Sequence, residues 1–128
     1  FPYTTLFRSP EILQSHPLYG AVFESFVTAE VAKRIAHSAS RANLYYWRDK
    51  TGHEVDLLVE EGTKVLPIEI KVSATYHPDF AKQLSWWLDL PENDASEGLV
   101  VYNGDQTVNR TGNVPCVPWR ELTLYSSA

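Results

Sequence analysis

Hydrophobic and polar positions alternate along this chain in two distinct periods, and the changes of period mark its elements. From Leu18 to about His37, Phe23, Phe26, Val27, Val31 and Ile35 recur at spacings of three and four. That period predicts a helix with one apolar face. His16-Pro17 breaks the chain before it, because proline disfavours helix in the residue that precedes it. Pro10 to His16 reads as a tail or as the end of an earlier helix. Beyond the polar connector Ser38 to Asn43 the period shortens. Leu44 to Arg48, Glu54 to Glu60 and Lys64 to Val72 read as strands, separated by the turn-rich Asp49-Lys50-Thr51-Gly52 and Glu61-Gly62-Thr63. Joined so tightly, they should form an antiparallel meander.

Helical spacing returns at Phe80, Leu84, Trp87 and Leu88, after Pro78 and before Pro91. Proline is tolerated in a first turn and stops a helix from behind. The continuous apolar run Leu99-Val100-Val101-Tyr102 reads as a strand covered on both faces. Val114 to Leu124 adds one or two edge strands, since Pro115 and Pro118 confine this segment to an edge or to irregular structure. The order is therefore α-β-β-β-α-β with a β-rich tail. This predicts an α/β domain, a mixed central sheet flanked by helices.

Composition narrows the class. A length of 128 residues suits one domain. No apolar run approaches the roughly 18 residues of a membrane span. One cysteine, Cys116, forms no internal disulfide, so a reducing cytoplasmic setting is the default. The net charge of −5 excludes a generally basic nucleic-acid coat but not a local site. The chain contains no methionine, and residues 1–9 look like a translated sequencing adapter. We therefore expect residues 1–9 to lie outside the fold, 10–17 to be a linker from a missing upstream region, and 18–128 to form the domain.

The chemistry concentrates on two strands. Glu69 and Lys71 are two residues apart and share a face of the third strand, with Ile68, Ile70 and Val72 on the other. In the second strand Val55, Leu57 and Val59 read as the core face, which sends Asp56 to the opposite side. Asp56, Glu69 and Lys71 then cluster. An oxygen-only set of this kind suits Mg²⁺ or Mn²⁺ and, through it, water activation at a phosphodiester, with Lys71 stabilising developing charge. The same alternation also describes a solvated charged face. At an effective dielectric of about 20, two carboxylates about 4 Å apart repel by roughly 4 kcal/mol, so a metal-free cluster should be strained, hold a proton or splay. Glu24 shares the helical stripe of Val27, Val31 and Ile35 and is expected either to lean toward the same cation or to reach solvent as a boundary residue.

The remaining candidates each carry two readings. Lys33, Arg34, Arg41, Arg48 and Lys50 read as a phosphate-contacting edge or as a solvated helix end and turn. Tyr45, Tyr46 and Trp47 are expected mainly in the core, with base stacking the other use. Trp87 reads as core and Trp86 as a partner contact. His16, His37, His53 and His77 show no zinc-ligand spacing with Cys116.

Glu24 in the first helix, Asp56 on the second strand, Glu69-Ile70-Lys71 on the third and Gln83 in the second helix resemble the PD-(D/E)XK nuclease superfamily. The longer string is more specific: Leu18-Tyr19-Gly20-Ala21-Val22-Phe23-Glu24, Tyr45 to Lys50, Glu54-Val55-Asp56, and Pro67 to Lys71. It is similar to the nuclease-like C-terminal domain, of unknown function, of a family of prokaryotic AAA+ ATPases. The resemblance implies a restriction-endonuclease-like core. Asp56, Glu69 and the Ile70 carbonyl would bind Mg²⁺ or Mn²⁺, assisted by Glu24. Lys71 would be catalytic and Gln83 supporting, with Arg41, Arg48 and Lys50 as candidate nucleic-acid contacts. It also implies an ATPase domain upstream in the parent chain; no P-loop signature occurs in these residues. Val55 stands where the superfamily has proline. Two functions stay open: metal-dependent hydrolysis of nucleic acid, and a catalytically silent binding or regulatory module of an ATPase.

Overall fold

A computed structural model describes residues 10–108 and 113–124. The expectation for residues 1–9 lies outside the described residues. Pro10–Ser15 is a short helix, α1, so the expected linker is helical over most of its length. The main helix, α2, runs Tyr19–His37. Three strands follow: β1 (Asn43–Arg48), β2 (Glu54–Glu61) and β3 (Lys64–Lys71). A 3₁₀ turn at Pro78–Ala81 leads into α3 (Lys82–Leu88). Strand β4 is Leu99–Tyr102 and β5 is Cys116–Pro118, with a final 3₁₀ turn at Trp119–Glu121.

Local chemistry explains most of these limits. At the C-terminal end of α2, Ser38 donates its amide to Arg34 O and its hydroxyl to Ile35 O, and Ala39 turns left-handed at φ 57°. Asp49 folds the β1–β2 connection by accepting the amides of Thr51 and His53, both at 2.9 Å. The β2–β3 turn pairs Glu61 with Lys64 and places Gly62 at φ 63°, a conformation glycine adopts without a Cβ penalty. Pro78 opens the second helical segment as expected. Its first turn is 3₁₀, however, and the α-helix stops at Leu88, before Pro91. The Asn93 side chain donates to Trp87 O at 2.7 Å, alongside the Leu90 amide, which donates to the same carbonyl at 3.2 Å.

The five strands lie in the order β1-β2-β3-β4-β5. The first three form the expected antiparallel meander, and β3-β4 and β4-β5 are parallel, so the sheet is mixed. Helix α2 covers one face. Phe23, Val27, Val31 and Ile35 pack there with Leu57, Val59, Ile68, Ile70 and Val101. Helix α3 covers the other, where Leu84 and Trp87 meet Val55, Val100 and Tyr102. Covered on both sides, β4 is buried at all four residues, as its continuous apolar run predicts. Phe26 departs from the predicted stripe: it is exposed on α2 and meets Trp119 edge to face. Four-residue steps from Phe23 are enough to cover the sheet, and Phe26 falls outside them.

One irregularity changes the reading of β2. Tyr45 pairs with Leu58 but Trp47 pairs with Val55, so two residues of β1 span three of β2. This bulge breaks the alternation at Asp56. Val55 consequently packs with Leu84 and Trp87 on the α3 face, not with Leu57 and Val59 on the α2 face. Tyr45 and Tyr46 are exposed, against the expectation of core, because β1 is the edge of the sheet and only Leu44 and Trp47 reach the two cores.

Truncation at the centre should be costly and at the edge nearly free. Ile68→Ala removes a fully buried side chain and is expected to cost about 2–5 kcal/mol. Tyr46→Ser, at an exposed position, should stay within about 0.5 kcal/mol. Urea denaturation of the two variants measures the difference.

Candidate functional site

The bulge and the end of the β2–β3 ladder coincide, and this builds the site. The ladder runs from Glu61↔Lys64 to Leu57↔Ile68. One step further, the same register would set Asp56 against Glu69. There the pairing is taken over by a side chain: Asp56 Oδ2 accepts the Ile70 amide at 2.8 Å. The Asp56 carboxylate thus lies against β3 and within electrostatic and hydrogen-bonding reach of Glu69. On β3, Glu69 pairs with Val100 and Lys71 with Tyr102, both residues of the α3-side core. Ile68 and Ile70 point into the α2-side core.

Glu69 is the only buried charged residue among the described residues, at 6% exposure. Lys71 Nζ stands 3.1 Å from Glu69 Oε1. The other oxygen, Oε2, is buried without a hydrogen-bond partner. Loss of hydration and the neighbouring Asp56 carboxylate push the Glu69 carboxyl up to about 7, even with Lys71 opposing them. Asp56 is also raised by burial, against the lowering effects of the Ile70 amide and Lys71. Of the outcomes expected for a metal-free cluster, splaying is not seen: the carboxylates converge, and burial and mutual repulsion favour the protonated form of each.

The other predicted residues stand apart from this pair to different degrees. Glu24 is exposed on α2. Partial burial and the like charges of Asp56 and Glu54 raise its carboxyl, so it faces the site from its rim. Among the described residues no three His, Cys, Asp or Glu side chains come together to hold a metal ion, so Glu24 does not complete a three-carboxylate set. The apolar stripe of α2 steps Phe23, Val27, Val31, Ile35, which leaves Glu24 one position off the sheet. Gln83 lies exposed on α3. Arg41 and Lys50 are exposed; Arg48 pairs with Glu54 at 3.1 Å and lies over the Tyr46 ring. Cys116 is buried, and burial alone pushes its thiol up to about 11, which removes it as a nucleophile. Trp87 is core, and Trp86 stacks on His53 at 3.8 Å between centroids. That stack pins the β1–β2 connection to α3; neither residue's spacing announced it.

The acceptors at this pair are all carboxylate oxygens: Glu69 Oε2, which has no hydrogen-bond partner, and those of Asp56. Mg²⁺ is held in many sites by one or two carboxylates and keeps several waters. A two-carboxylate pair with an orphaned, buried oxygen therefore fits a hard divalent cation better than it fits a self-contained ion pair.

A family model described as Domain of unknown function (DUF4143) matches residues 19–122, and the chain belongs to that family. The chain is also similar to an uncharacterized protein of Mycobacterium bovis and to one of Mycobacterium tuberculosis. It is 29% identical to each over 116 residues, which is 90% of this chain and 24% of the relative. It thus spans about a quarter of the length of the curated relatives it matches. Among the described residues no helix is long and apolar enough to cross a membrane.

The raised carboxyls set a pH dependence. A folded-state pKa above the ordinary 4.5 means that the folded protein holds the Glu69 proton longer than the unfolded chain does. Without divalent cations, stability should be highest below about pH 4.5 for this group and fall as pH rises through about 7. At about 1.4 kcal/mol per pKa unit the loss is on the order of 3 kcal/mol. Asp56, also raised, adds in the same direction. Thermal melts in EDTA from pH 5 to 8 should show this decline in the wild type and a flatter profile in Glu69→Gln. Lys71→Ala should steepen it, because it removes the cation beside Glu69.

Proposed function

We propose that this domain hydrolyses phosphodiester bonds of nucleic acid with Mg²⁺ or Mn²⁺, on a restriction-endonuclease-like core, as the C-terminal part of a larger ATPase. The observation that carries the reading is the orphaned Oε2 of Glu69, buried beside Asp56 with Lys71 on the opposite oxygen. Asp56, Glu69 and the Ile70 carbonyl would hold the cation, with Glu24 acting from the rim. When bound, the cation supplies charge neutralisation at the phosphodiester and a more acidic water.

The chain's own residues do the rest. The Ile70 amide holds Asp56 in place without a long flexible contact. Loss of the Glu69 proton, which the buried site otherwise keeps to about pH 7, opens that carboxylate for ligation. Lys71 is one-third exposed, so its ammonium is reachable from solvent and can stabilise charge developing on a phosphate oxygen. The string resemblance to the ATPase-linked domain and the quarter-length coverage of the relatives support a place in a longer parent chain. The acidic total of −5 favours a second reading, a silent regulatory module of the same parent.

The full-length parent protein should nick DNA or RNA in Mg²⁺ or Mn²⁺ and not in EDTA. Glu69→Ala and Lys71→Ala should each reduce cleavage by about 100-fold or more, the scale expected for losing charge stabilisation at the reacting group. Mn²⁺ at about 100 times its Kd should also raise domain stability by roughly 2.7 kcal/mol, and Asp56→Asn should remove most of that gain. A parent without cleavage on any nucleic acid, whose melting temperature ignores Mn²⁺, belongs to the silent class.

A further inference from the structure

A second concave site lies on the α3 face, toward the β2–β3 turn and away from Glu69. It is a cleft of about 410 Å³ between β1 and the loop that follows α3. Tyr45, Trp47 and Trp87 line it, and Glu60, Glu92 and Asp94 are also in its wall. Trp47 and Trp87 meet edge to face at 6.4 Å, and Tyr45, 49% exposed, stands at the open side. None of the three acids has a cationic partner among the described residues; Glu60 accepts only the Tyr45 hydroxyl, at 3.5 Å. The loop is held ready by Asn93, which donates to Trp87 O at 2.7 Å and accepts from Ala95 N at 3.0 Å.

An aromatic wall with carboxylates around it is complementary to a cation with a flat or alkyl body. Ring faces attract ammonium and guanidinium groups, and unpaired carboxylates complete the attraction. The same wall repels phosphate. The second relevant feature is the strand that carries Tyr45 and Trp47. Among the described residues β1 has a single neighbour, β2, so its outer backbone groups face away from the sheet. It contains no proline or lysine, the residues that commonly block such an edge. A strand added to that edge places alternate side chains on the face of Tyr45 and Trp47, beside the cleft.

We infer that this cleft and the free edge of β1 together bind an extended basic peptide segment of a partner protein. The segment pairs with β1 and seats one arginine or lysine side chain among Tyr45, Trp47, Trp87, Glu60, Glu92 and Asp94. Backbone pairing supplies affinity and the cleft supplies selection for a cation, the division of labour common to strand addition. The inference does not depend on nuclease activity.

A short peptide alternating threonine and arginine tests it, titrated into the 128-residue chain and followed by tryptophan fluorescence. Saturable binding is expected, weakened about tenfold or more when the peptide's arginines become glutamates. The combined Glu60→Gln, Glu92→Gln and Asp94→Asn protein should lose a similar factor. Methylating alternate backbone amides of the peptide should also weaken binding to the unaltered protein, a readout that needs no variant to fold. Four results would overturn the inference: no saturable binding, indifference to the triple substitution, binding of arginine amide as tight as that of the peptide, or oligothymidylate competing for the cleft. A chain that dimerises through β1 and takes up no peptide would assign the edge to a second copy instead.

Discussion

A single hydrogen bond, from the Ile70 amide to Asp56 Oδ2, joins the architecture of this domain to its chemistry. Beyond Leu57↔Ile68 the backbone ladder between β2 and β3 gives way, and a carboxylate takes the amide that a ladder carbonyl would have taken. A buried amide without a partner is costly, so Asp56 is held to β3 by the same requirement that holds the strands together. This draws its carboxylate against Glu69. The raised Glu69 pKa, the orphaned Oε2 and the ion pair with Lys71 all follow from that closeness.

The cost is electrostatic and local, and the surrounding structure is built to bear it. Helix α2 presses Ile68 and Ile70 into one core, while Leu84, Trp87, Val100 and Tyr102 form the other. Glu69 lies between hydrophobic neighbours on a strand buried nearly end to end. Being buried, it is costly to ionise there, and Lys71 offsets that cost only in part. Rigidity of the sheet is thus what turns three ordinary side chains into a candidate site.

The two ends of the α3 face present carboxylates in two different arrangements. At one end carboxylates and a lysine are packed tightly at the break in the ladder. At the other, carboxylates stand apart around an aromatic cleft beside an open strand. Both suit positive charge, the first a small hard ion and the second an organic cation on a chain. The net acidity of the domain is consistent with both and with neither acting as a broad nucleic-acid surface.

Much of the fold was legible in the residue pattern, because burial imposes period. Helix α2, the three-stranded meander and β4 lie within a residue or so of where spacing puts them. Glu69 and Lys71 sharing a face follows from their two-residue spacing alone. The position of Asp56 did not follow in the same way. Alternation through Val55, Leu57 and Val59 brought it to Glu69 by a wrong route, since the bulge sends Val55 to the α3 side. A bulge depends on how two strands meet, and neither strand encodes it by itself. Phe26, Tyr45 and Tyr46 were misread for a related reason: period names a face, and only the neighbouring layer decides how far around that face, or how near the sheet's edge, burial extends. The cleft beside β1 was wholly a tertiary product, assembled from a strand, a helix end and a loop that are distant in sequence. What residues alone determined was therefore the elements and their chemistry; which carboxylates touch, and which stand free, was decided by packing.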